Sequence, residues 1–277
     1  MKRNVTALLL GIIPLLLVAV QWGTADVLPN YFVYDVPVVY YFSFLETHYL
    51  YFYLHIVTLV PVFLLSFDQK VAFYKRWKFL WQPLLMVNMV YWIWDIGKTS
   101  LQVWGFNSKY IVGCFIFNLP IEEIVFFITV PYACVFIYYC LLAYFPTQRW
   151  MKVEQFTTPI LILGFIGMGL LRWDLTYTST TCIIAGFYLL FHYLQEDAWI
   201  RARFYEAFIV CLIPFLIIDG VLTGGYQSEP IILYNPNEFL NIRIGSIPIE
   251  DAIYFIPYLL FIVTYMEKKR CQKNIEK

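Results

Sequence analysis

The stretch Pro120-Ile121-Glu122-Glu123-Ile124-Val125-Phe126-Phe127 returns near the other end of the chain as Pro248-Ile249-Glu250-Asp251-Ala252-Ile253-Tyr254-Phe255. Each copy opens a long aromatic and aliphatic run. Proline is well tolerated at the first turn of a helix, and acids two or three positions on sit beside unpaired backbone N–H groups. A single copy in a soluble protein would read as an ordinary helix start. Two copies at the mouths of two hydrophobic helices read differently, because each charge at mid-membrane costs about 2.5–3.5 kcal/mol. Such acids point to chemistry.

The 277 residues are 61% hydrophobic, 21% aromatic and only 14% charged, whereas a soluble domain is about a quarter charged. The chain therefore reads as an all-α integral membrane protein. Runs of about twenty apolar residues fall near 5–22, 48–66, 79–97, 120–145, 156–173, 178–194, 206–223 and 248–266. That gives seven to eight transmembrane helices, depending on whether Val5–Trp22 is a span or a signal segment. With the N-terminus inside, cytoplasmic segments hold 15 of the basic residues and outer segments only Lys98, Lys109, Arg172 and Arg243. The expected location is thus the cell membrane, multi-pass, with both termini cytoplasmic and the lipid bilayer as a partner. Net charge is zero and the basic residues form no patch, so nucleic acid is not an expected partner. The six cysteines lie mostly in apolar runs without metal or disulfide spacing and read as small hydrophobes.

Each half ends alike. Trp94-Asp95, a loop, Pro120-Ile121-Glu122-Glu123 and Pro131-Tyr132 are answered by Asp219-Gly220, a longer loop, Pro248-Ile249-Glu250-Asp251 and Pro257-Tyr258. The expected organisation is an N-terminal extra transmembrane segment (1–46), a first repeat (47–147), a linker helix (148–177) and a second repeat (178–277). Each repeat has three helices. The intervening helix gives both copies the same orientation, so these are parallel repeats whose acid motifs meet on the outer side. Inverted repeats would have suggested a transporter.

The segment Tyr110–Phe117 is apolar and too short to span, which fits a re-entrant stretch carrying Glu122 and Glu123 below the headgroups. There, two adjacent carboxylic acids cannot both ionise cheaply. A protonated acid in a dry cavity is a strong donor seeking a weak base. Around it crowd Tyr91, Trp94, Trp104, Phe106, Phe126, Phe127, Tyr254, Phe255 and Tyr258. Most serve packing and the lipid interface. A subset lining a cavity would stabilise a carbocation by about 2 kcal/mol each. An acid, a cation cage and a base make up a terpenoid cyclase.

The motifs then carry a resemblance. Leu64 to Tyr74, Trp94-Asp95, Val103-Trp104-Gly105-Phe106-Asn107, Leu119 to Phe127 and Val130-Pro131-Tyr132-Ala133-Cys134 resemble the first half of an integral-membrane lycopene cyclase of the heterodimer type. Phe204-Tyr205, Leu212-Ile213-Pro214-Phe215, Asp219-Gly220, Arg243-Ile244 and Ile247 to Tyr254 resemble the second half, fused here in one chain. The likeness runs from 47 to 270. It departs at Asp219-Gly220, where the family often has Asn-Gly. What the resemblance implies is a redox-neutral isomerisation of lycopene, or another linear carotenoid, to β-ionone rings. The terminal C1=C2 bond is protonated, C5=C6 attacks the cation at C1, and C6 loses a proton. Both ends closed would give β-carotene via γ-carotene, with neighbouring carotenoid enzymes as candidate partners.

Catalytic roles are expected for Glu122 and Glu250, with Glu123 and Asp251 as partners or bases; the donor and the acceptor are not assigned. Trp94, Asp95, Phe126, Phe127, Asp219 and Tyr254 are candidate substrate-binding residues. No cofactor and no metal are expected. Gly164-Phe165-Ile166-Gly167-Met168-Gly169 has the wrong spacing for a dinucleotide and reads as helix packing. His55 and His192 read as packing residues. Two other classes compete: a proton-coupled transporter, which the sparse polar content of the spans disfavours, and a non-catalytic carotenoid-binding seven-helix protein. A rhodopsin-like version of the latter would need a lysine in its last span, and the run 248–266 holds none, since Lys268 lies beyond its expected end.

Overall fold

The computed structural model describes residues 38–147 and 150–275, with Pro14 in isolation. The expected span at 5–22 lies outside the described residues. The described chain is mostly helical: α1 (Leu50–Leu65), α2 (Trp77–Ser100), α3 (Ile121–Tyr144), α4 (Met151–Leu171), α5 (Thr176–Gln195), α6 (Ala198–Leu222) and α7 (Ile249–Ile275). Four are long and apolar enough to cross a membrane: α3, α4, α6 and α7 through Cys271. Helix α1 is apolar but only 16 residues long.

Helix starts follow local chemistry. Helix α3 begins after Pro120, an extended residue at φ −63° and ψ 150° with no N–H to satisfy. It ends at Phe145-Pro146, where the chain can no longer donate. Helix α6 starts eight residues before the expected span, because Arg201 is accommodated inside the protein. Its Nε donates to Glu154 Oε1 at 2.6 Å and its Nη1 to the His192 carbonyl at 2.7 Å. Neither side of that pair is exposed. Helices α4 and α5 approach closely at Gly169 and Gly186. An added Cβ at either would stand 2.7 Å from an isoleucine of the other helix, whereas Gly164 and Gly167 face open space.

The central packing joins α2, α3 and α7. The Tyr258 hydroxyl donates to the Phe127 carbonyl at 2.6 Å and is hydrogen-bonded to the Asn88 side-chain amide, and Tyr91 donates to the Tyr254 carbonyl at 3.1 Å. Helix α1 lies on α3 through His55 and Thr129, 3.1 Å apart, and through Ser66 and Tyr132. Helix α5 lies on α7 through His192 and Thr264. Arg201 Nη1–H points at His192 Nδ1, so His192 Nε2 carries the proton and donates.

Three two-stranded ribbons join these helices among the described residues. Strand β1 (Trp104–Phe106) pairs antiparallel with β4 (Ile232–Tyr234), joining a loop of each half. Strands β2 (Phe115–Ile116) and β3 (Leu119–Pro120) form a hairpin that enters α3. Strands β5 (Arg243–Ile244) and β6 (Ile247–Pro248) form one that enters α7. The stretch 110–117 thus runs into a hairpin: Tyr110 and Ile111 are buried and Phe117 is 84% exposed.

Candidate active site

Two helix entries with matching geometry build the site. Seven and three residues before each proline the backbone turns left-handed: Gly113 at +82° and Phe117 at +57°, then Asn241 at +59° and Gly245 at +64°. In the first entry the Val112 N–H donates to Glu122 Oε1 at 2.6 Å, and the Ile121 N–H donates to the Cys114 carbonyl at 2.8 Å. In the second the Leu240 N–H donates to Glu250 Oε1 at 2.9 Å, and the Ile249 N–H donates to the Ile242 carbonyl at 3.1 Å. Thr178 also donates to Glu250, at 2.6 Å. The first acid of each motif therefore folds back and fastens the loop ahead of its helix, where the unpaired N–H groups favour it.

That loop in turn places a tyrosine. The Tyr110 carbonyl accepts from the Tyr51 N–H at 3.2 Å, and the Glu238 carbonyl accepts from the Tyr177 N–H at 2.8 Å. The Tyr51 hydroxyl donates to Glu123 Oε2 at 2.5 Å, and the Tyr177 hydroxyl donates to Asp251 Oδ1. The second acid of each motif is thus held from a neighbouring helix. Adjacent residues on a helix differ by about 100° in direction. When the first acid turns to the loop, the second turns inward.

The inward side is a cavity of about 450 Å³ counted with its open mouth. Four carboxylates border it: Asp95, Glu123, Asp219 and Asp251. The ribbon β1–β4 roofs it. Alternate strand residues share a face, and the register Trp104↔Tyr234 and Phe106↔Ile232 puts all four on the cavity side. Phe126, Phe127, Tyr254 and Phe255 form the opposite walls, with Phe126 and Phe255 edge to face at 5.8 Å.

Hydrogen bonding within the cavity is uneven. Asp251 receives a second phenol, Tyr234, at 2.9 Å, and its carboxyl lies within hydrogen-bonding reach of that of Asp219. Burial, then the Asp251 charge, holds the Tyr234 phenol in the roof strand well above its ordinary range, so it donates without ionising. Trp104 Nε1 donates to Asp95 Oδ1 at 2.6 Å. Asp95 Oδ2 and Asp219 Oδ2 are buried and receive no donor among the described residues. Carboxyls with bare oxygens against aromatic walls can exchange protons with an apolar guest. Among the described residues no group of three His, Cys, Asp or Glu side chains is arranged to hold a metal ion.

The family model for lycopene cyclase matches residues 48–141 and 174–268. The chain belongs to the lycopene cyclase family. It is similar to a curated bifunctional lycopene cyclase/phytoene synthase of Aspergillus niger, 24% identical over 187 residues, which are 61% of this chain and 31% of that protein. The chain thus spans about a third of that relative's length. No solved structure matches.

Of the candidate residues singled out in the sequence, Asp95, Glu123, Phe126, Phe127, Asp219, Asp251 and Tyr254 come together at the cavity. Glu122 and Glu250 are buried beside it in the first turns of α3 and α7, bonded to the loops ahead of them. Trp94 stands behind the wall, stacked on Tyr91 at 5.7 Å and edge-on to Tyr254 at 5.4 Å. Sequence reasoning missed Tyr51, Tyr177 and Tyr234. The available signal was the repeat itself: Tyr51 precedes Glu123 by 72 positions, and Tyr177 precedes Asp251 by 74.

Proposed function

We propose that this chain is an integral-membrane lycopene cyclase of the heterodimer type with both halves fused. In this reading α1–α3 and α5–α7 are two parallel three-helix repeats joined by α4, seven spans in all and eight with the N-terminal segment. The boundaries follow the sequence division, 47–147 and 178–277, and the protein sits multi-pass in the cell membrane with both termini inside. What supports the repeats is the recurrence of hydrogen bonds and left-handed turns at equal distances from Pro120 and Pro248.

The reaction proposed is acid-initiated closure of a linear carotenoid end to a β-ionone ring, an isomerisation. Glu123 gives a proton to the terminal C1=C2 bond; C5=C6 closes on the resulting cation; Asp251 takes the proton lost from C6. Asp251 is assigned the acceptor role because two phenols hold it, against one on Glu123. Trp104, Phe126, Phe127, Tyr254 and Phe255 face the cation, and Glu122 and Glu250 anchor the loops. The single observation that carries the reading is that Glu123 and Asp251 face one aromatic-walled cavity.

The experiment is expression in a bacterium that accumulates lycopene. The expected result is β-carotene, reached through the one-ringed γ-carotene, and a steep drop in ring product from Asp251→Asn. Unchanged red pigment with the intact protein in the membrane would contradict the proposal.

A further inference from the structure

The acid cavity is the first of three in line. A second, of about 580 Å³, opens between α1, α3, α6 and α7 and shares Phe126, Asp219 and Phe255 with the first. A third, of about 220 Å³, shares Cys134, Phe208, Cys211 and Leu259 with the second. Along α3 the walls run from Glu123 to Tyr138, and along α6 from Asp219 back to Phe204. At 1.5 Å per residue each path measures roughly 22 Å.

We propose that these cavities form one slot that holds the body of an extended, wholly apolar polyene, with its reacting end in the acid chamber. The inference rests on the cyclase reading for the class of substrate. Beyond Asp219 the walls offer the Thr58 hydroxyl, free thiols and, at the far end, the Tyr138 phenol as polar groups, and no charged side chain, so a guest bearing a charged headgroup would find no counter-charge there. At the junction Phe126, Phe215 and Phe255 set their rings edge to face, at 5.8 and 6.2 Å, surfaces suited to a conjugated chain rather than a saturated one.

The slot also has an entrance. Pro214 borders the second cavity and lies on the outside of α6, where it removes one helical N–H. Ile213 and Ile217 beside it are 65% and 59% exposed, an apolar surface that meets lipid tails. A polyene dissolved in the bilayer enters there without crossing water.

The test fills the far end of the slot. Ala207 is buried and borders the third cavity. In the series Ala207→Val, Ala207→Leu and Ala207→Phe, conversion of lycopene is compared with that of a truncated linear polyene carrying the same terminal group. Binding is read in parallel from the induced circular dichroism of the polyene chromophore. The slot predicts that lycopene turnover and binding fall first, by about tenfold or more, while the short substrate is spared. A series in which both substrates fall together, or neither falls, overturns the slot. So does displacement of the polyene signal by an equal concentration of a saturated long-chain alkane. Should the intact protein bind lycopene in this size-dependent way yet close no ring, the slot stands and the cyclase reading fails.

Discussion

Glu123 and Asp251 face the same cavity, and each takes a hydrogen bond from a tyrosine that stands second in its helix, Tyr51 on α1 and Tyr177 on α5. Two helix entries that look redundant in sequence are therefore two walls of one chamber.

That division of labour predicts a split between the four motif acids. Glu123→Gln and Asp251→Asn are expected to lower ring formation by about 10²–10⁴-fold, the usual worth of a positioned acid or base. Glu122→Gln and Glu250→Gln keep a side-chain oxygen for the Val112 and Leu240 N–H groups, so they are expected to retain most activity. The alanine versions lose the loop anchor and fall in stability and activity together. Turnover by purified protein in detergent, alongside thermal unfolding, separates the two groups. Glutamine at 122 as damaging as glutamine at 123 would reverse the assignment.

The phenols that hold the acids are positioning residues. Removing a hydrogen bond to a charged group costs about 1.5–3 kcal/mol, so Tyr177→Phe or Tyr234→Phe is expected to lower kcat about ten- to hundredfold with KM nearly unchanged. A loss confined to KM would mean that these tyrosines shape substrate binding instead.

Far from the chamber, the pair Arg201–Glu154 is a matter of folding. Both side chains are buried and 2.6 Å apart, and breaking such a pair costs about 3–5 kcal/mol. Glu154→Ala is expected to lower the thermal midpoint clearly while the folded fraction still closes rings at the normal rate. Thermal unfolding and specific activity of the same preparation check this.

On the outer surface, Glu46 ties the start of α1 to both loops. It accepts from Lys109 at 2.8 Å, from Tyr110 at 2.8 Å and from the Ser228 N–H at 2.7 Å. Burial opposes ionisation, but hydrogen bonds from Lys109 and Ser228 prevail and bring the carboxyl down to about 2 from 4.5. A carboxyl lowered by folding adds stability that is complete above its unfolded value and is lost as pH falls. The intact protein should therefore lose its advantage over Glu46→Gln between pH 4.5 and about 2. The pair lies at the surface, with Lys109 42% exposed, so the whole effect is expected below ~1 kcal/mol. Unfolding midpoints across that range are the readout.

Much of this was legible in the sequence, for physical reasons. Apolar runs located α1 to α5 within five residues, because length and hydrophobicity bound such helices, while α7 runs nine residues past its expected end. The paired motifs located the acids, because charge next to an apolar run is costly. Helix ends were less legible: α6 begins at Ala198 rather than near 206, since Arg201 finds Glu154 on another helix, a partner no local pattern reveals. Nor could the sequence say which of Glu122 and Glu123 turns inward. That depends on the hydrogen bond from Val112, set by a left-handed turn at Gly113. Tyr234 reaches Asp251 only because β4 pairs with β1 across the two halves, and three-residue strands leave almost no periodic signal.

Closure in deuterium oxide tests proton-initiated chemistry most directly. The chamber acids exchange with solvent, so each ring formed by the intact protein should carry one deuterium at C2, next to the carbon that bears the two methyl groups, seen as one mass unit per ring. Rings that form without deuterium would show that no exchangeable acid starts the reaction, and would contradict the roles given to Glu123 and Asp251.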